Sequence, residues 1–533
     1  MKRYLLFSFS VFAVCLLAFT EFAWAKKCYV DNAAGGSTHN GTSWAAAWTS
    51  IGAITGVTGG DTVFISGGTT SKTYTDMMYT TQGGTMWLPV SGTTNKPIIY
   101  KVGQDAGHNG TVIFNGGGAV HWIFGGNWIT IDGNVGGARH IEVTNFGDAV
   151  CADGSVGFVL RYATVTGKLR FLDVDKVELD HIYCNPQDGI DGAIWISGTG
   201  GDYNSNLIHD CTVNVYYQHG VNAQGGNGDD GIQGGYYCTI ANNIFRGVLT
   251  ANFVGNQHQD GIQTLTPVYT RVIGNYYENM ANYCLYFEYF SGGANAQVYN
   301  NVFNYADPVL TAQPSCGIAI GGSSGSTGGT ISNLVVANNT VIGGARGISL
   351  EGGNQNTVYA NAFVVNNLVY GSSLSIEQHS WGGITYMNNQ TAGSAGVFVN
   401  AAGNDFHLKS GSTGLIDAGT SWPSTYFTTD KDGISRPQGS AWDIGAYEYT
   451  TTGLRPSTSS GADRGMGSEL AAQSLLPNPI TVALLGQYAQ SNKNILIYDP
   501  AGKLVKTGSL YWSGIYLLAE RGNKNIQKAV VVK

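Results

Sequence analysis

Two nearly identical acidic motifs in the middle of the chain contain the residues best suited to chemistry. GDDGIQ at 228–233 is followed thirty residues later by QDGIQ at 259–263. Asp229, Asp230 and Asp260 therefore supply carboxylates at matching places, and Asp191 precedes them in the phrase DGIDG. Groups of carboxylates bind Ca²⁺, and pairs of them catalyse glycoside hydrolysis. We take Asp191, Asp229, Asp230 and Asp260 as candidate metal ligands.

Further polar and aromatic residues lie close to these motifs along the chain. Histidine exchanges a proton near neutral pH, so it can act as an acid or a base. Arginine can pair with an anionic group, and an aromatic ring can stack on a sugar. The candidate catalytic residues are Asp230, Asp260, His258 and Arg271. The candidate substrate-binding residues are His219, Arg246, Tyr286 and Glu288.

A repeated phrase organises the chain around these candidates. Phrases resembling ANNIF recur at intervals of 22–38 residues, and each repeat carries a further apolar strand phrase such as GIQTL or GIAIG. Intervals of this size with variable insertions are typical of a solenoid. The third residues of the recurring phrases are Cys211, Asn243, Asn275, Asn301, Asn339, Asn367 and Asn389.

Such a repeat predicts coils whose parallel strands stack about 4.8 Å apart. Inward Ile, Val and Leu would form one continuous core, and the Asn side chains could form a hydrogen-bonded ladder at a bend. Asp230 and Asp260 would stack in consecutive coils. That spacing suits two oxygens bound to one Ca²⁺, each about 2.4 Å from the ion. It also suits the carboxyl pair of a retaining glycosidase, about 5–5.5 Å apart. Alternatively, each Asp-Gly is only a turn in which Asp caps backbone amides.

From Cys28 to residue 449 the repeat resembles the right-handed parallel β-helix of the pectin/pectate lyase superfamily. Residues 405–449 resemble the closing segment of such proteins. The resemblance implies activity on polysaccharides. Lyases of this kind use an Arg or Lys base beside a uronate, often with Ca²⁺. No lysine occurs between Lys176 and Lys409, so Arg271 is the best candidate among the arginines of that span.

Two alternatives to a lyase stay open. The polygalacturonase-like members of the fold carry Asn-Thr-Asp, Asp-Asp, Gly-His-Gly and Arg-Ile-Lys. This chain matches them only in part and has no Arg-Ile-Lys. A hydrolase would act without metal and leave no double bond in its products. A non-catalytic surface protein that binds glycan, such as an adhesin, suits the Gly- and Asn-rich coils equally well.

Composition supports a β-protein and argues against nucleic acid as a partner. Gly accounts for 77 of 533 residues, 43% of residues are hydrophobic and only 12% are charged. Runs of strong helix formers are nearly absent, while β-branched and aromatic residues abound. The formal net charge is −8, which opposes binding to phosphate backbones. The seven cysteines after residue 25 show no metal spacing and are expected to be buried, unpaired thiols.

The two ends of the chain indicate export. Residues 1–25 read as a secretory signal peptide, with a membrane anchor as the alternative. Residues 26–449 form the β-helix, 450–476 a linker, and 477–533 a small β-sandwich. IYDPAGKLVKT and GIYLL in this last part resemble the sorting domain of the type IX secretion system. The resemblance implies a monomer exported by a Gram-negative cell to its surface or the medium, with the secretion machinery as a partner.

The sequence therefore predicts an all-β protein, a right-handed parallel β-helix followed by a small β-sandwich. It is expected to cleave an acidic polysaccharide with the help of Ca²⁺.

Overall fold

The computed structural model describes most of residues 25–451 and four strands nearer the C-terminus. The gaps in the first range are 76–79, 82–83, 88–89, 125, 187–191, 217–230, 249–259, 265, 281–282, 289–291, 306–315, 322–328, 351–356 and 378–381. The chain divides into two compact units, Met1–Pro456 and Ser457–Lys533. No helix among the described residues is long and apolar enough to cross a bilayer.

Three parallel sheets form the β-helix of the larger unit, and the coils between its two ends contribute a strand to each sheet in turn. The first sheet has thirteen strands: Lys27–Val30, Thr62–Ile65, Ile98–Val102, Ile129–Asp132, Phe158–Arg161, Val177–Asp180, Asn206–His209, Cys238–Ala241, Thr270–Ile273, Gln297–Tyr299, Val335–Ala337, Ala362–Val365 and Ile384–Met387.

The second and third sheets share two long strands, Thr111–Phe124 and Ile141–Cys151, which pass from one sheet to the other. The remaining strands of the second sheet are Ser71–Tyr74, Ala163–Val165, Tyr183–Cys184, Thr212–Tyr216, Ile244–Val248, Tyr276–Met280, Val302–Tyr305, Thr340–Ile342, Leu368–Tyr370 and Gln390–Ala392. Those of the third are Gly84–Trp87, Lys168–Val174, Ile194–Gly198, Ile232–Gly234, Ile262–Thr264, Tyr283–Glu288, Cys316–Gly321, Arg346–Leu350 and Leu374–Glu377.

Smaller elements complete the larger unit. The described residues contain 3₁₀ turns at Ile51–Ala53, Ala395–Val397, Ala401–Gly403 and Trp422–Thr425. Gly293–Ala294, Gly329–Ser332 and Thr357–Ala360 form a short parallel sheet. Antiparallel pairs join Thr80–Thr81 to Gly84–Trp87, Asn134–Val135 to Ala138–Arg139, and Phe398–Asn400 to Asp405–Leu408. This architecture confirms the predicted all-β, parallel β-helix fold.

Alternation along each strand explains the core. In the first sheet Ile131, Leu160, Leu179, Ile208 and Ile240 occupy equivalent positions and are fully buried. Their neighbours in sequence point outward because successive side chains of a strand face opposite sides. The inward side chains of all three sheets meet in one continuous apolar cluster.

The predicted asparagine ladder is present at the bend between the first and second sheets. The backbone amide of Asn275 donates to Oδ1 of Asn301 at 2.8 Å, and Nδ2 of Asn275 donates to the same oxygen at 3.0 Å. Nδ2 also donates to the carbonyl of Ile240, at 2.9 Å. The pattern begins at Cys211, whose amide donates to Oδ1 of Asn243, and ends at Asn389. Each buried Asn therefore satisfies backbone groups of its own and adjacent coils.

Several ladder residues are preceded by a second asparagine, which makes a different set of hydrogen bonds. Asn300, Asn338 and Asn366 adopt the left-handed conformation, with φ of 57°, 51° and 55°, which Asn tolerates better than most residues. Their Nδ2 groups donate to backbone carbonyls between Thr420 and Gly445. The Asn-Asn pair therefore builds the ladder with its second member and holds the closing segment with its first.

The glycine of Asp-Gly-Ile-Gln is required by close approach. Ile232 pairs with Ile262 and Gln233 with Gln263, so the two motifs are in register as predicted. A Cβ on Gly261 would lie 2.6 Å from the Tyr277 ring and 2.4 Å from the Cys284 carbonyl oxygen. Tyr277 belongs to an inward aromatic stack with Phe245 and Phe303. The third sheet therefore needs a small residue where it begins beside this stack.

Residues 398–449 close the β-helix and cover parts of two sheets. Phe427 and Trp442 pack on the outward Tyr299, Val335 and Val365 of the first sheet. Phe406, Leu408 and Tyr447 pack with outward residues of the second sheet. A fully buried ion pair joins Arg436 to Glu448, with NH1 and Oε1 2.8 Å apart. The segment therefore covers parts of the first and second sheets.

His407 links two carboxylates within this segment. Its Nδ1 lies 2.6 Å from Oδ1 of Asp405 and its Nε2 lies 2.7 Å from Oδ2 of Asp432. Burial lowers the pKa of His407, but the hydrogen bond and charge of Asp432 and then those of Asp405 outweigh it, so the pKa is raised. The protonated imidazolium is therefore stabilised in the folded state.

The seven described cysteines are all buried and free, as expected from their spacing. In the smaller unit the described strands Ile495–Tyr498, Leu504–Val505, Gly514–Glu520 and Lys528–Val532 form one antiparallel sheet. This sheet is the described part of the predicted C-terminal β-domain.

Replacing Asn301 with alanine is expected to lower the free energy of unfolding by about 3 kcal/mol or more, because several buried backbone and amide groups lose their partners. Asn127→Ala is the matched control. Asn127 is exposed and its side chain accepts one hydrogen bond, from the amide of Val156, so the loss of this side chain should cost about 1 kcal/mol or less. Urea denaturation measures both, and equal destabilisation would contradict the ladder's structural role.

His407→Gln should destabilise the protein more at pH 6 than at pH 10. A histidine whose folded pKa is raised contributes its full stability below the unfolded pKa, about 6.5, and loses it as the pH rises through the folded pKa. The expected loss at pH 6 is about 1–3 kcal/mol. Denaturation of variant and wild type at both pH values tests this, and a difference that does not change with pH would refute it.

Candidate functional site

The outer face of the third sheet carries a row of aligned side chains, one from each coil. The strand pairings place each member directly beside the next. We call this set the third-sheet row: Arg170, Trp195, Gln233, Gln263, Tyr286, Ala319, Ser349 and Glu377. Residues 217–230 and 249–259, which lie outside the described part of the chain, come shortly before the strands that contribute Gln233 and Gln263. Ala319 and Ser349 are fully buried, so the accessible part of the row combines amide, aromatic and charged groups.

The centre of the row joins two residues singled out from the sequence. Nε2 of Gln263 donates to Oε2 of Glu288 at 3.2 Å. The Glu288 side chain is mostly buried. Tyr286 lies beside Gln263 in the next coil, and its ring stacks on that of Tyr283 with centroids 4.7 Å apart. Tyr286 and Glu288 therefore belong to one surface with Gln263.

Asp260 lies at the start of the strand that carries Gln263, yet it is 0% exposed. Its Oδ1 accepts a hydrogen bond from the backbone amide of Tyr283 in the next coil, at 3.3 Å. That contact matches the alternative in which Asp caps a backbone amide at the turn. The structure therefore gives Asp260 a buried, coil-joining position beneath the row.

The N-terminal end of the row is charged and aromatic. The indole of Trp195 is 37% exposed, and the Lys168 ammonium lies 5.2 Å from its ring centroid. Arg170 pairs with Asp148 and Asp153, with nitrogen–oxygen distances of 3.3 and 2.6 Å. The positive charge of Arg170 is therefore balanced by the protein itself.

The two candidate arginines do not lie on this surface. Arg271 is in the first sheet, where its guanidinium lies 4.2 Å from the Tyr203 ring centroid and its Nε donates to Gln297. Arg246 is in the second sheet and pairs with Glu278. The sequence predicts Arg271 as a catalytic residue together with Asp260, and Arg246 as a substrate-binding residue. The structure separates them because consecutive strands of a coil belong to different sheets and face different directions.

The other candidates from the sequence lie outside the described residues. These are Asp191, Asp229, Asp230, His219 and His258.

Sequence reasoning missed a second polar cluster, on the outer face of the first sheet. Asp180 pairs in register with His209 of the next coil, and Glu178, His181 and Asp210 lie beside them. Nε2 of His209 is 3.3 Å from Oε1 of Glu178, and its Nδ1 is 2.7 Å from Oδ2 of Asp210. The available signal was the dipeptide Asp-His at 180–181, mirrored as His-Asp one coil later.

Opposing effects set the charge of His209. Its burial lowers the pKa, while hydrogen bonds to Asp210 and Glu178 and the nearby charge of Asp180 raise it, to about 10 overall. Glu178, Asp180 and His209 each offer one ligand atom within 4.8 Å of the others, as do Asp180, His181 and Asp210. These are the groups of possible metal ligands found among the described residues.

Comparison with known proteins finds similarity only at the level of architecture. No protein-family model matches the chain, and no curated protein matches it. Pectate lyase Pel9A is 17% identical, with a TM-score of 0.42 over 80% of this chain and 97% of that chain. The polysaccharide lyase Pedsa3628 from Pseudopedobacter saltans is 12% identical, with a TM-score of 0.40 over 66% of this chain and 92% of its own. Alginate lyase AlyGC is 12% identical, with a TM-score of 0.40 over 64% of this chain and 49% of its own. These identities are too low to transfer residue roles.

Proposed function

We propose that this protein is a secreted polysaccharide lyase that cleaves an acidic, uronate-containing polysaccharide with the help of Ca²⁺. The observation that carries the proposal is the third-sheet row, in which Gln233, Gln263 and Tyr286 line up on consecutive coils. The closing segment packs on outward residues of the first and second sheets. The third sheet is therefore the face on which we expect a long ligand to lie.

The residues of the row suit a sugar chain. Strands stack about 4.8 Å apart, so an extended polysaccharide lying along the helix axis would meet a new side chain at each coil. Glutamine amides both donate to and accept from sugar hydroxyl groups. The Tyr286 ring is partly exposed and offers an apolar face for a sugar ring. We therefore assign the recognition of substrate to Gln233, Gln263 and Tyr286.

The carboxylates around the acidic motifs suit Ca²⁺ because this ion prefers oxygen ligands. The proposed ligands are Asp191, Asp229, Asp230 and Asp260. Bound Ca²⁺ would supply positive charge to neutralise the carboxylate of a uronate. Glu288, held by Gln263, positions the amide of that glutamine toward the substrate.

Elimination requires a base that removes the proton next to the uronate carboxylate. We assign this role to His258, which precedes Asp260 by two residues in the sequence. Arg271 and Arg246 are engaged on other sheets by Tyr203, Gln297 and Glu278. An arginine would also have to lose its proton first, although a guanidinium stays protonated in proteins.

Export belongs to the same proposal. An extracellular polysaccharide is met only outside the cell, and residues 1–25 have the pattern of a signal peptide. We assign residues 477–533 to sorting through type IX secretion, on the resemblance of IYDPAGKLVKT and GIYLL.

The proposal is tested by incubating the purified full chain with a panel of acidic and neutral polysaccharides, with Ca²⁺ or with a chelator. We expect ultraviolet absorbance from unsaturated products, and we expect the chelator to abolish it. Reducing ends without absorbance would identify a hydrolase instead. Binding without turnover on every polysaccharide would identify a non-catalytic glycan-binding protein.

Tyr286→Ala should raise KM on the cleaved polysaccharide about tenfold, because the loss of one stacked aromatic costs roughly 1–1.5 kcal/mol. Tyr426→Ala is the matched control, since Tyr426 is also partly exposed but lies in the closing segment against Trp422. That variant should cleave with wild-type kinetics. Equal kinetics for both variants would show that Tyr286 does not bind the substrate.

A further inference from the structure

We propose that Glu178, Asp180, His181, His209 and Asp210 form a binding site for Zn²⁺ on the outer face of the first sheet. The site is separate from the third-sheet row and does not depend on the proposed activity. We call these five residues the His209 cluster.

The geometry already brings ligand atoms together. One oxygen each of Glu178 and Asp180 and one nitrogen of His209 lie within 4.8 Å of one another. A second set, Asp180, His181 and Asp210, meets the same condition and shares Asp180 with the first. Zinc–ligand bonds of about 2.0–2.2 Å mean that atoms within this distance can reach one ion after small side-chain rotations.

A buried carboxylate oxygen in the cluster independently points to a missing ligand. The Asp210 side chain is only 4% exposed. Its Oδ2 contacts His209, but its Oδ1 is buried and has no hydrogen-bond partner among the described residues. A buried carboxylate oxygen without a partner is costly. A cation placed between the two triads would supply the missing interaction.

The basic side chains near the cluster form ion pairs with a carboxylate outside it. Arg161 pairs in register with Asp180, yet its NH2 group bonds to Asp132 at 3.0 Å, as Lys101 does at 2.8 Å. Three carboxylates thus face two imidazoles with no arginine or lysine ion pair to the cluster among the described residues. Even with His209 protonated, the three carboxylates leave the cluster with an excess of negative charge, so a divalent cation that displaces the His209 proton is favoured.

The donor types select the metal. Ca²⁺ and Mg²⁺ prefer oxygen ligands alone, whereas imidazole nitrogen together with carboxylate oxygen suits first-row transition metals and zinc. Two imidazoles and three carboxylates therefore favour Zn²⁺ over Ca²⁺. The Tyr162 ring stacks on that of His181, with centroids 4.4 Å apart and planes 9° apart, and so orients this ligand.

Zinc at this place would join two neighbouring coils. Glu178, Asp180 and His181 belong to one coil, and His209 and Asp210 belong to the next. An ion shared between them would resist separation of the coils, because a ligand that binds only the folded state stabilises it.

The test is titration of the tag-free full chain with ZnCl₂ after dialysis against a chelator, followed by calorimetry and thermal unfolding. We expect one ion per chain at this site and a rise in Tm. Glu178→Gln, a half-exposed position that should not disturb folding, is expected to weaken binding at least tenfold. His209→Gln should abolish it.

His407→Gln is the matched control, because it also removes a histidine set between two carboxylates. It should bind zinc as the wild type does. Circular dichroism verifies that each variant is folded. Zinc affinity unchanged in folded Glu178→Gln and His209→Gln would overturn the site, as would a wild type that binds no zinc. Co²⁺ substitution gives a second readout, since an absorption spectrum of nitrogen and oxygen ligation should vanish in His209→Gln.

Discussion

The C-terminal half of the β-helix depends on one repeated constraint: from Asn243 to Asn389 each coil turns from the first to the second sheet at an asparagine, and all but the last of these side chains are buried. From Asn243 to Asn367, Nδ2 and the backbone amide of each ladder residue donate to the Oδ1 of the next, as between Asn339 and Asn367. A buried bend would otherwise leave backbone groups unpaired. Because one side chain supplies both donor and acceptor, the same residue can recur without limit along the axis. The ladder therefore sets the bend at which all three sheets align.

The same bend also determines which sheets are covered by the closing segment. From Asn300 onward, the first Asn of each pair donates to the closing segment, as Asn338 does to the carbonyls of Asp443 and Gly445. This segment then covers outward apolar residues of the first and second sheets. The third sheet keeps its amide and aromatic row. The bend that stabilises the coils thus also determines which face is left for a ligand.

The stacking of coils also aligns charged side chains on the outer face of the first sheet. Lys101, Asp132, Arg161, Asp180 and His209 follow one another in register, so opposite charges alternate from coil to coil. Alternation satisfies most of these groups by pairing across strands. It ends where Glu178 and Asp210 add two more carboxylates around His209. The excess of negative charge is local, and it arises because the coil brings residues 29–31 positions apart into contact.

The sequence by itself determined the coils. The spacing of Asn243, Asn275 and Asn301 predicted both the solenoid and the ladder, since a repeated bend needs a repeated side chain. It also predicted the register of the two Asp-Gly-Ile-Gln motifs. The fold class and the register of neighbouring coils can thus be predicted from the sequence, because both depend on a residue pattern that repeats along the chain.

Only the tertiary structure decided what each residue faces. A coil has three outward directions, and the lengths of its turns decide to which one a strand belongs. Arg271 therefore lies on Tyr203 in the first sheet, although it follows Asp260 by eleven residues. Asp260 itself is buried just before its strand, where its Oδ1 accepts a hydrogen bond from the Tyr283 amide of the next coil. The residues of the His209 cluster come from different coils. The sequence shows which residues they are, but only the fold shows that they lie close together.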